Sequence, residues 1–92
     1  MFILAARHAV ADYDKWKAVY DTMPPTKMGA KFSRVNVSVD DPNLVTVVAG
    51  YDSLETLKEM MGDHRLKEAM QEAGVIGEPR FEIYEEVEAI QA

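Results

Sequence analysis

Residues 2–10 are apolar on both alternating faces, with Phe2, Leu4 and Ala6 on one and Ile3, Ala5 and Ala9 on the other. A strand that is apolar on both sides suits the middle of a sheet covered on both faces, so this segment is predicted to be a central first strand. The rhythm then changes to a helical one. Asp12 is placed to cap a helix and Asp14 favours its first turn. Tyr13, Trp16, Val19, Tyr20 and Met23 fall on one stripe. Pro24-Pro25 ends that helix.

Residues 31–39 and 44–51 read as a hairpin closed by Asp40-Asp41-Pro42-Asn43. With Val39 opposite Leu44, Val37 faces Thr46 and Val35 faces Val48. The other face then carries Phe32, Arg34, Asn36 and Ser38 beside Val45, Val47, Ala49 and Tyr51. A second helical region opens at Asp52-Ser53, where Asp52 and Glu55 have capping-box spacing. Its stripe of Leu54, Leu57 and Met61 is out of phase with Leu66, Met70 and Ala73, which predicts a break at Gly62-Asp63. Gly74 suits the helix end. Residues 75–79 read as a loop into a last strand over 80–87, with Phe81, Ile83 and Val87 on one face and Glu82, Tyr84 and Glu86 on the other.

The order βαββαβ predicts an α+β, ferredoxin-like domain spanning residues 1–92, with two helices on one face of a four-stranded antiparallel sheet. By this reading the helix-free face holds Phe32, Val45, Val47, Tyr51 and Tyr84. That is too apolar a surface to leave in water. A second copy is the simplest cover, so a homodimer is expected.

Composition narrows the partners. The chain is 48% hydrophobic and 28% charged, as globular domains are. Ten basic against sixteen acidic residues give a net charge of −6, which disfavours nucleic acid and anionic membranes. Leu44–Tyr51 also lacks the basic, doubly aromatic pattern of RNA-binding strands. The absence of cysteine excludes disulfides, thiolate metal sites and a cysteine nucleophile. No signal peptide or membrane span is apparent, and the cytoplasm is the expected location. Two histidines without metal-ligand spacing and no glycine-rich phosphate loop leave no metal and no cofactor expected.

The run Tyr51-Asp52-Ser53-Leu54-Glu55-Thr56-Leu57-Lys58-Glu59-Met60-Met61-Gly62-Asp63 resembles the opening of helix two in the dimeric α+β barrel superfamily. That superfamily includes antibiotic-biosynthesis-type monooxygenases, small isomerases and haem-degrading enzymes. Val10–Lys17 and Glu72–Gly77 look like a branch without assigned activity. The resemblance implies two sheets facing each other across a dimer, with a cavity in each protomer. It further implies a cofactor-independent monooxygenase or isomerase acting on a small aromatic or enolisable substrate; the alternative is a non-catalytic small-molecule binding module. The haem-degrading branch places an Asn on strand one and a Trp and a His on helix two. The matching positions here are Ala6 or His8, Met60 and Met70, so specific haem binding is not expected. Many monooxygenase-like members carry a His where this chain has Met60.

His8 is the candidate catalytic residue, because an imidazole that points into the cavity can act as a general base near neutral pH. The resemblance turns it toward the barrel, whereas its face-mates Phe2, Leu4 and Val10 suit the helix layer. Arg34 and Asn36 are candidates for binding a carboxylate or enolate, or for pairing with Glu82 or Glu86 across a dimer. Tyr51 and Tyr84 are candidate hydrogen-bond donors to a ligand, or dimer contacts. His64 reads as an exposed cap residue and Trp16 as core.

Overall fold

Phe2–Val10 (β1) leads through Asp12 into Tyr13–Thr22 (α1) and a short 3-10 turn at Pro25–Met28. The hairpin Phe32–Val37 (β2) and Leu44–Tyr51 (β3) follows. Leu54–Met61 (α2) and His64–Glu72 (α3) then return the chain to Val75–Glu85 (β4). The structure, a computed structural model, describes residues 1–91. All strand pairs are antiparallel, in the order β2-β3-β1-β4. The expected α+β, ferredoxin-like arrangement is therefore what the chain adopts. No described helix is long and apolar enough to cross a membrane.

Local chemistry fixes the helix starts. Asp12 Oδ1 accepts from the Asp14 amide at 3.1 Å, so one of the free amides of α1 is paired. Ser53, rather than Asp52, caps α2, its Oγ accepting from the Thr56 amide at 3.3 Å; Asp52 faces Lys31 at 3.5 Å instead. The expected break falls at Gly62-Asp63, where Asp63 Oδ1 accepts from the Arg65 amide at 2.9 Å and starts α3.

The hairpin register differs from the expected one. Val37 lies opposite Val45, Val35 opposite Val47 and Arg34 opposite Val48. The cause is the loop, which is one residue longer than the expected pairing allows. The Ser38 amide donates to the Leu44 carbonyl at 2.9 Å. Inside that bond, Asp41 folds its own turn by accepting from the Asn43 amide at 2.9 Å and the Leu44 amide at 3.1 Å. A slip of one residue moves every side chain of a strand to the opposite face relative to its partner. Val45, Val47, Ala49 and Tyr51 consequently lie under the helices, beside His8, Ala6, Leu4 and Phe2 of β1. The helix-free face holds Ile3, Ala5 and Arg7, Thr46, Val48 and Gly50, Phe32, Arg34 and Asn36, and Glu82 and Tyr84. Gly50 is needed there, because any Cβ would run into the Phe32 ring and the Met1 sulfur.

The last strand also starts earlier than expected. Val75 and Ile76 already pair with Val10 and Ala9, and the register shifts between Ala9 and Arg7. Gly77, at φ 70°, and Pro79 take up that irregularity. Both residues are tolerated because β4 is an edge strand. The strand ends at Glu85, leaving Glu86 and Val87 outside it. Beneath the helices the core forms two clusters, one around Leu4, Tyr51, Leu57 and Met60, the other around Val10, Trp16 and Val45. Complete burial of Leu57 alone stabilises by roughly 1.5–3 kcal/mol.

Candidate functional site

Between sheet and helices the packing is incomplete. Small side chains leave the space: Ala6 and Ala49 on the sheet, Ala69 and Ala73 at α3. Leu4, His8, Val47 and Phe81 complete the floor. Trp16, Val19, Tyr20, Met23, Pro25, Met28, Met60, Leu66 and Met70 form the walls. The centre of a water-sized sphere can move through about 80 Å³ of this cavity, several times what a single water needs. No Asp, Glu, Lys or Arg lines it. Four of the chain's six methionines do, and such side chains re-pack readily around an apolar guest.

His8 is the one titratable base in this lining. It is 5% exposed and its ring lies 5.5 Å from that of Trp16, tilted by 49°. Trp16 in turn stacks on Tyr20 at 5.0 Å. A row of three rings thus forms one wall. Neither Nδ1 nor Nε2 of His8 has a hydrogen-bond partner, although a neutral imidazole offers one donor and one acceptor. Leaving such groups unpaired costs about 1–3 kcal/mol each, a cost that a bound polar group would offset.

Burial pushes the His8 pKa below its ordinary value of 6.5, so the ring stays neutral where a free imidazole would begin to charge. The folded state then binds fewer protons than the unfolded chain once the pH drops under 6.5. Stability is therefore lost as pH falls from that value toward the depressed folded pKa, at up to about 1.4 kcal/mol per pH unit. Above it His8 contributes no pH dependence. Urea unfolding at a series of pH values is expected to show this loss in the wild-type chain and to show it diminished in His8→Gln.

The other sequence candidates divide between the two faces. Tyr51 is on the helix side of the sheet, wholly buried in the same cluster as Leu4, Ala49 and Met60, but it does not line the cavity. Its hydroxyl has no partner, and its pKa is pushed up to about 12, first by burial and then by Tyr20. The hydroxyl of Tyr20 is engaged with that of Ser33. Arg34, Asn36 and Tyr84 stand exposed on the helix-free face. The sheet separates them from His8, so the expected convergence of His8, Arg34 and Asn36 does not occur. The register slip is the reason. Arg34 instead lies over the Phe32 ring, 4.3 Å from its centroid, and the Tyr84 hydroxyl donates to Glu82 at 2.7 Å. His64 is exposed at the first turn of α3. Met60 and Met70 both line the cavity. Among the described residues, no three His, Cys, Asp or Glu side chains gather to hold a metal ion.

Trp16 and Tyr20 enter the site although their spacing marks only a core stripe. The signal that separates wall from core is the pair of alanines opposite them, Ala6 and Ala49, which are too small to fill the layer.

No protein-family model matches the chain, and no curated protein does. Solved structures do match over nearly its whole length. A variant of SnoaB, a cofactor-independent oxygenase from Streptomyces nogalater, superposes with a TM-score of 0.80 over 99% of this chain and 97% of its own, at 8% identity. A protein from Caulobacter crescentus bearing the antibiotic biosynthesis monooxygenase name gives 0.76 at 22% identity, over 95% and 90%. Rv0793 from Mycobacterium tuberculosis gives 0.73 at 16%, over 98% of both chains. The fold is that of the antibiotic biosynthesis monooxygenase-like proteins. At these identities the likeness is one of fold, and the monooxygenase-like fold alone does not select a reaction.

Proposed function

We propose that the cavity under the helices binds a small, neutral, flat molecule and that His8 acts on it as a general base. The observation that carries this reading is an imidazole with both nitrogens unpaired, facing an apolar space that no charged side chain lines. A neutral imidazole can take a proton from a phenol or from a C–H next to a carbonyl. The resulting anion is either reprotonated elsewhere, which is isomerisation, or electron-rich enough to meet dioxygen directly. The likeness to a cofactor-independent oxygenase supports the second course without choosing it. A binding module without chemistry would share the cavity and lack the proton transfer.

The helix-free face supports the partner. Ile3, Ala5, Val48, Phe32 and Tyr84 make it apolar, while Arg34 on one edge strand and Glu82 on the other give it both signs of charge. A surface carrying both can meet a second copy of itself, and we assign it to a homodimer.

Trp16 is the chain's single tryptophan and lines the cavity, so its fluorescence reports occupancy. Indanone is expected to change the emission saturably, with a dissociation constant on the order of 0.1–1 mM. Indane carboxylate is expected to bind at least about tenfold more weakly, because its charge would lose water without gaining a partner. Equal binding of the two, or none by either, would remove the site.

A further inference from the structure

We infer that a ligand reaches the cavity between α3 and β4, past Met70 and Phe81, and that α3 swings on its C-terminal end to admit it. This rests on reading the cavity as a ligand site. An open cleft lies on the outer side of that seam, with Lys67 and Gln71 of α3 on one lip and Gly77 and Pro79 of β4 on the other. Leu66, Met70 and Phe81 line both the cleft and the cavity. These three half-buried side chains form the partition between solvent and the space that His8 lines.

The partition is lightly held. α3 has no fully buried side chain, whereas α1 buries Trp16 and α2 buries Leu57 and Met60. The apolar residues of α3, Leu66, Ala69 and Met70, all line the cavity. The helix therefore covers a space rather than a packed core, and an element with so little burial opens at low cost. Met70 belongs to neither core cluster, and its unbranched thioether chain changes rotamer readily. The ion pair at the start of α3, Arg65 with Asp63 at 2.7 Å, is internal to that turn. The other end is fastened: Ala73 is 4% exposed, and the Gly74 carbonyl accepts from the Ala11 amide at 3.0 Å. Broken from α2 at Gly62-Asp63, the helix pivots about Ala73-Gly74. On the facing strand the pairing with β1 jumps from Arg80 to Ile76, so that lip also lacks a regular ladder. A route at the opposite end of the cavity would pass Met23, Pro25 and Met28. There Met28 packs on the cluster of Leu4 and Leu57, and the Ala30 amide closes the turn on the Pro25 carbonyl at 3.1 Å.

The chain has no cysteine, so one introduced at the exposed Lys67 can be joined to glutathione by a disulfide, which sets a bulky, charged group in the cleft. Lys27→Cys, exposed on the 3-10 turn, takes the same adduct as the control. Indanone binding is followed by stopped-flow fluorescence of Trp16. In the Lys67→Cys adduct, association and dissociation are both expected to slow roughly tenfold, with the dissociation constant within about twofold of wild type. Dithiothreitol should restore both rates, and the Lys27→Cys adduct should bind at wild-type rates. Amide hydrogen exchange is expected to be at least about tenfold faster in α3 than in α2, and to slow in α3 when indanone binds. Wild-type rates in the Lys67→Cys adduct, equal slowing of the Lys27→Cys adduct, or an α3 as protected as α2 would overturn the inference while leaving the cavity reading intact. No fluorescence response to indanone in the unlabelled wild-type chain would overturn both.

Discussion

Val48→Glu is expected to convert the protein from a dimer to a monomer of 10.3 kDa without unfolding it. Val48 sits on β3 between Ala5 of β1 and Arg34 of β2, on the face that no helix covers. In the proposed dimer that face meets its own copy, so each interface would receive two new carboxylates. Burying an unpaired charge of this kind costs several kcal/mol, which raises the dissociation constant roughly a thousandfold or more. The free chain tolerates the change because the side chain points away from the core. Light scattering and circular dichroism separate the two effects: the mass should halve and the spectrum should persist. Val47→Glu, one residue earlier, is the contrasting case. Val47 is 7% exposed beneath the helices, and a carboxylate there should unfold the chain. A Val48→Glu protein that remains dimeric would move the interface to another surface.

That pair of substitutions also marks where sequence reading succeeds and where it stops. Periodicity, caps and breakers carry the element order. The two-sided apolar run of β1, the Asp12 cap and the Gly62-Asp63 break appear where the residue pattern puts them, whereas Ser53 rather than Asp52 caps α2 and Asp63 rather than His64 caps α3. The side of the sheet on which β3 presents its valines is a different kind of fact. It depends on how many residues the Asp40–Asn43 turn absorbs, and Asp41 makes hydrogen bonds that add one more than the simplest pairing allows. A local turn thus decides the face of Val45, Val47, Ala49 and Tyr51 together. One sequence signal does favour the observed side. The alternate row of β3 contains Thr46 and Gly50, a poorer core row than three small apolar residues and a tyrosine.

The candidate site was legible in the same uneven way. Counting the companions of His8 on β1, namely Phe2, Leu4 and Val10, places it under the helices, where it is found. The family resemblance turned it the other way and drew Arg34 and Asn36 toward it. Those two residues follow β2 to the opposite face because strand alternation leaves them no choice once Val35 packs against the core beside Val47. The cavity itself has no linear motif. It arises from alanines on three different elements that meet only in the fold.

Hydrogen exchange on a bound substrate tests most directly whether His8 works as a base in that cavity. Indanone dissolved in heavy water exchanges the C–H beside its carbonyl slowly by itself, and the exchange is followed by NMR or mass. The wild-type chain is expected to accelerate it, with a rate that falls as pH drops through the depressed pKa of His8, since the neutral ring is the active form. His8→Gln should keep the cavity and the Trp16 fluorescence response to indanone, yet lose about a hundredfold or more of the acceleration. Equal exchange rates in the wild-type and His8→Gln chains, with binding preserved in both, would contradict the account and leave the cavity as a binding site without chemistry.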